Sequence, residues 1–164
     1  MGRRADVVEG LYAFGPDRLG ESLAFLHPDA EYLPDPAKAP VRGHAAIRAY
    51  VAREIRRLGT PLPEPIPLTL TEVGEHILVQ GQLRVPQTTG DVSFVDFQPI
   101  AWVYEFAGDR VSRVTVYWDW EQARRAAGIA RATPPTRRFA KGWAFAVVRR
   151  AWPAWRRAAP RPAT

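Results

Sequence analysis

LTLTEV (68–73), ILVQGQLRV (77–85), VSFVDFQPIAWVYEF (92–106) and VSRVTVYW (111–118) decide the fold. Each is rich in β-branched and aromatic residues, which suit a pleated, half-buried backbone. The turn clusters Gly74-Glu75, Thr88-Thr89-Gly90-Asp91 and Ala107-Gly108-Asp109 separate them. Connections that short join antiparallel neighbours, so the four stretches predict an antiparallel meander. Pro99 lacks an N–H and predicts a bulge or bend in the third stretch. Residues 77–85 alternate, with Ile77, Val79, Leu83 and Val85 on one side and Leu78, Gln80, Gln82 and Arg84 on the other.

Upstream, the period changes. Val7, Val8, Leu11, Tyr12 and Phe14 recur at helical spacing over 5–14, and Gly15-Pro16 stops that helix. Asp17 reads as the N-cap of a second helix carrying Leu19, Leu23 and Leu26, ended by His27-Pro28-Asp29. Residues 30–33 read as a short strand. Ile47, Tyr50, Val51, Ile55 and Leu58 mark a third helix over 44–58, closed by Gly59. Pro61, Pro63, Pro65 and Pro67 predict an extended connector, and residues 121–127 a short closing helix. Helices followed by a run of strands give the α+β class.

The 164 residues fit one domain, and no cysteine is present, which excludes disulfides and cysteine-metal sites. His27, His44 and His76 lack ligand spacing, so neither a metal nor a cofactor is expected. No apolar run approaches the ~20 residues of a membrane span, and a cytoplasmic location is expected. The net charge of +6 is unevenly placed: residues 1–130 hold 14 Lys/Arg against all 17 acids, and residues 131–164 hold 9 Lys/Arg. The domain, 5–130, is therefore mildly acidic and nucleic acid is not expected as its partner. The tail, 131–164, is basic and aromatic.

Val7-Val8 with Tyr12, residues 26–31 (LHPDAE), 43–48 (GHAAIR), 106–111 (FAGDRV) and Tyr117-Trp118-Asp119 together resemble the SnoaL-like polyketide-cyclase branch of the nuclear transport factor two-like superfamily, over about 5–129. The resemblance implies a cone-like curved sheet wrapped around three N-terminal helices, enclosing a small-molecule pocket, and a homodimer. It does not imply one reaction, because this fold carries isomerases, cyclases, hydrolases and non-catalytic modules. The carboxylate base of its ketosteroid isomerases would fall at Asp35, but Leu11 and Ala101 stand where the oxyanion-binding tyrosine and acid would be. Epoxide hydrolases of the fold need an arginine between two carboxylates; here those places hold Gln82, Arg84 and Val116. The polyketide-cyclase branch uses a carboxylate near the end of the last strand, where Asp119 stands.

Two readings stay open. In the first, an apolar small molecule is isomerised, cyclised or hydrolysed, with Asp35 and Asp119 as acid/base residues and Tyr12, Tyr32, Gln82, Arg84, Asp96, Trp102 and Trp118 lining the pocket. In the second, the domain is a non-catalytic ligand-binding or dimerising module. Each residue also has a plainer role: Asp119 as the cap of the helix that follows, Asp96 as outward alternation, the aromatics as core.

In the tail, residues 132–136 read as a linker, and a helix is expected over 136–152 up to Pro153. Its arginines and its Phe139, Trp143, Phe145 and Trp152 do not separate onto two faces. Docking on protein is favoured over contact with anionic membrane.

Overall fold

The computed structural model describes residues 3–13, 19–58, 63–89, 91–129 and 136–138. Its elements in chain order are α1 (Arg3–Tyr12), α2 (Leu19–Ser22) running into a 3-10 turn (Leu23–Phe25), β1 (Leu26–Leu33), β2 (Val41–Arg42), α3 (His44–Leu58), β3 (Glu64–Val73), β4 (His76–Thr89), β5 (Val92–Ala107), β6 (Arg110–Tyr117), α4 (Trp120–Ala126) and β7 (Thr136–Arg138). One curved, unclosed sheet has the order β2-β1-β6-β5-β4-β3-β7. The meander β3 to β6 is antiparallel throughout, whereas β1 joins β6 in parallel, which the long intervening chain permits.

The two sheet faces carry separate cores. On the inner face Ala5 and Val8 of α1, Leu23, and Ile47 of α3 pack against Leu70, Ile77, Val79, Ile100, Trp102, Tyr104, Val111, Val114 and Val116. On the outer face α4 and Ile129 cover Leu78, Ala101 and Val103. Trp120 fastens this layer, its indole N–H lying 2.9 Å from the Gly81 carbonyl and 3.0 Å from that of Ile100. Also on the outer face, Glu31 accepts from Arg113 at 2.8 Å and pairs with Arg42 at 2.8 Å, tying β1 to both of its neighbours. The Arg113 hydrogen bond holds the Glu31 carboxyl below its ordinary value.

Strands run longer than the sequence pattern predicts. Residues 27–29, expected to end the second helix, lie inside β1, and α2 is a single turn. The Pro28 stretch lies where the β1–β6 register jumps between Leu26 and Glu31, so its missing N–H breaks no rung with β6. Pro65 and Pro67, expected in a connector, belong to β3. β7 pairs only with 69–71, so at Pro65 and Pro67 β3 has a partner on one side alone among the described residues, and an open edge tolerates a missing N–H. Pro99 makes no bulge: it pairs in continuous register with Gln82, beyond the last β5 residue joined to β6. Register breaks fall instead between Pro67 and Thr69 and between Glu105 and Phe106. α3 spans His44–Leu58 as expected. It follows Gly43, whose φ of +78° turns the chain while its N–H meets the Ala30 carbonyl at 2.8 Å. Thr136–Arg138 form a strand against β3, not the start of a helix. Asp17, most of the 132–136 linker and the rest of the 136–152 segment lie outside the described residues.

Candidate functional site

The inner face gathers aromatic hydroxyls around one tryptophan. Period-two alternation turns Trp102 and Tyr104 of β5 to the same side, opposite Val79 and Ile77 of β4. The last turn of α1 places Tyr12 over them. Its ring meets Trp102 edge-on at 5.6 Å and Tyr104 at 6.5 Å, both T-shaped arrangements. The Tyr12 and Tyr104 hydroxyl oxygens stand 2.6 Å apart, a hydrogen bond in which either can donate. Tyr32 of β1 packs against this core and tilts against Tyr50 of α3 at 5.7 Å.

Burial sets the chemistry of these phenols. It raises Tyr12 well above its ordinary value, with the charge of Tyr104 adding to the effect. Burial likewise pushes Tyr104 up strongly and Tyr32 up to about 12. All three are neutral hydroxyls across the physiological range. A hydrogen bond between two hydroxyls uses one of their two protons, and a neutral phenol is a proton donor. The arrangement can donate to an oxygen; it cannot act as a base near neutral pH.

Folded-state values above the unfolded value of about 10 contribute stability that is complete below pH ~10. That stability is lost as pH rises, because the unfolded chain releases protons that the native state retains. Tyr50 and Tyr117 are also raised by burial, so no tyrosine of the native protein should titrate like a free phenol. Native absorbance at 295 nm should lag behind that of the urea-unfolded chain between pH 10 and 11. Full ionisation of the native protein near pH 10 would contradict the packing of these phenols against the inner face.

The carboxylates named from the sequence lie elsewhere. Asp35 Oδ1 accepts from the Ala37 N–H at 2.9 Å in a turn after β1. Asp119 Oδ1 accepts from the Gln122 N–H at 2.8 Å and caps α4. Asp96 is exposed and accepts from Gln98 at 3.1 Å. Gln82 and Arg84 share the parity of Leu78 and so stand on the outer face, away from Tyr12 and Trp102, with Arg84 3.6 Å from Glu64. Trp118 is 51% exposed. Of the residues named from the sequence, the structure brings together Tyr12, Tyr32 and Trp102. It adds Tyr104 and Tyr50, for which the only sequence signal is inward parity: Tyr104 is two residues from Trp102, and Tyr50 lies on the apolar stripe of α3. Among the described residues no group of three His, Asp or Glu side chains could hold a metal ion, and no helix is long and apolar enough to cross a membrane.

Known proteins share this arrangement of elements. TerC, co-crystallised with polyporic acid, superposes with a TM-score of 0.60 at 19% identity, over 77% of this chain and 99% of TerC. A nuclear transport factor two-like protein from Burkholderia pseudomallei gives 0.59 at 22% identity, over 76% of this chain and 97% of that one. A proposed polyketide cyclase from Xanthomonas campestris gives 0.55 at 17% identity, over 76% and 96%. At these identities the likeness is one of fold. No curated protein matches the chain. The SnoaL-like domain profile matches residues 7–114, more than half of the sequence. The chain therefore belongs to the SnoaL-like domain family.

Proposed function

We propose that the inner face of this protein binds an apolar, oxygen-bearing aromatic molecule. The ligand's ring would lie against Trp102 and its carbonyl or phenolic oxygen at the Tyr12–Tyr104 hydroxyl pair. The observation that carries the reading is that pair: two part-buried hydroxyls 2.6 Å apart beside an edge-on tryptophan. Apolar walls with a few convergent polar groups are the usual composition of small-molecule sites. The match to TerC, which was crystallised with polyporic acid, agrees with a ligand of this chemical type.

Carboxylate acid/base catalysis by Asp35 and Asp119 is the competing proposal. A base must reach the proton it removes, and both carboxylates accept backbone N–H groups of their own turns. The geometry therefore favours binding over turnover.

Calorimetry with 2-naphthol and naphthalene separates the contributions. The hydroxyl should give naphthol about five- to tenfold tighter binding, the worth of one hydrogen bond. A Tyr12→Phe/Tyr104→Phe double variant should remove that difference, while Asp35→Asn and Asp119→Ala leave it unchanged. Equal affinity for the two probes, no binding of either, or a preference that survives Tyr104→Phe and Tyr12→Phe would refute the reading. If Asp35→Asn or Asp119→Ala abolished the preference, the carboxylate proposal would replace it.

A further inference from the structure

The outer half of the β4–β5 hairpin stands apart from the sheet. β3 accompanies β4 only as far as Glu64 opposite Arg84, and β6 accompanies β5 only from Ala101. From Val85 to Thr89 and from Val92 to Pro99 the two strands pair only with each other among the described residues. All eight residues of Val92–Pro99 are exposed, and four of them are large and apolar: Val92 at 64%, Phe94 at 50%, Val95 at 40% and Phe97 at 51%. Alternation places Val92 and Phe94 on one face of this ribbon and Val95 and Phe97 on the other. A two-stranded ribbon is at best marginally stable alone, and unpaired apolar edges invite pairing.

β7 runs toward this ribbon. Arg138 lies opposite Thr69 and Thr136 opposite Thr71, so the chain leaves residue 138 heading from Thr69 toward Glu64, the end at which the ribbon begins. The distance from Thr69 to Glu64 is about 17 Å at ~3.3 Å per residue. About five further residues on that heading would span the distance to Arg84, where β3 ends and leaves the edge of β4 open. The sequence that follows is aromatic and basic: Trp143, Phe145, Arg149, Arg150, Trp152 and Trp155. The ribbon is their complement, since residues 85–99 contain Asp91 and Asp96 and no lysine or arginine.

We propose that residues 139–155 of the same chain lie along the ribbon formed by Val85–Thr89 and Val92–Pro99, covering its apolar side chains. Tail aromatics bury Phe94, Val95 and Phe97, and tail arginines face Asp91 and Asp96. The basic tail is then a second layer of the domain, seated by β7.

Hydrogen exchange on the full chain tests this. Amides of 85–99 should exchange at least tenfold more slowly in the native chain than in a full-length Trp143→Ser/Phe145→Ser variant, with residues 77–80 unchanged as a measure of global folding. The cysteine-free sequence permits a second test that leaves the aromatics intact. A Val85→Cys/Ala144→Cys chain should form its disulfide within one molecule, independently of protein concentration. Three results would overturn the proposal. One is equal exchange of the ribbon with and without the tail aromatics. Another is a disulfide formed only between copies, or ribbon protection that vanishes on dilution as the mass falls to that of one chain; either would assign the ribbon to a second copy. The third is protection that arises only on adding anionic phosphatidylserine vesicles, which would assign the tail to membrane.

Discussion

Gly81→Ala should destabilise this protein by about 2–3 kcal/mol, the upper part of the range for forcing an extra carbon into a packed site. The new Cβ would lie 2.4 Å from the Ile66 carbonyl oxygen, 3.1 Å from its carbonyl carbon and 3.1 Å from Pro67 Cα. All three are backbone atoms of β3, so no rotamer change relieves the contact. The strand must move, and it is held by the register break just beyond Pro67 that brings it close to β4. The carbonyl of Gly81 also receives the Trp120 indole N–H, so a shift there loosens the outer layer as well. Urea unfolding should show a lower midpoint with an unchanged slope. Gly20→Ala in α2 is the control, because its Cβ would meet only the end of the Arg48 side chain at 3.9 Å. If Gly81→Ala proved as stable as Gly20→Ala, the close approach of β3 to β4 would be wrong.

Trp102→Ala should have the largest effect, about 3–5 kcal/mol, as for other buried tryptophans reduced to alanine. Trp102 is 8% exposed, in the centre of β5, with β4 on one side, β6 on the other and the Tyr12 ring edge-on above it. Removing the indole leaves a void under α1 and withdraws the surface on which the 2.6 Å hydroxyl pair is positioned. The variant should lose stability and naphthalene binding together. Trp118→Ala should change stability by no more than about 0.5 kcal/mol, as surface substitutions do, because Trp118 is 51% exposed. Similar losses for the two tryptophans in thermal unfolding would contradict the assignment of the core to the inner face.

Much of this fold was legible because much of it is local. The meander follows from alternation and three turn clusters, and α3 from its apolar stripe and flanking glycines. The prolines misled for a physical reason. A missing N–H is harmful only where a neighbouring strand needs it, and neighbours are not visible in a single stretch of sequence. Pro65 and Pro67 could join β3, and Pro99 could stay in register, because each lies where its strand has one partner instead of two.

The site was harder to read. Asp35, Asp96 and Asp119 stood out because carboxylates carry chemistry, yet in the structure two serve their own turns and the third lies on the exposed ribbon. Gln82 and Arg84 were placed on the correct strand, but which side of that strand faces inward depends on which layers cover it. Ile77 and Leu78 are both fully buried, so polarity alone could not choose.

By itself the sequence determined the α+β order, the antiparallel meander, the third helix, and the change from an acidic first 130 residues to a basic, aromatic remainder, because periodicity, turn chemistry and charge are written residue by residue. Only the tertiary structure decided that α4 covers the outer face, that Tyr12 of the first helix meets Tyr104 92 residues later, and that the start of the tail is a strand on β3. Those outcomes depend on which surfaces meet after the sheet has twisted and the helices have settled on it. A hydroxyl pair made by two distant elements has no local pattern from which it could be read.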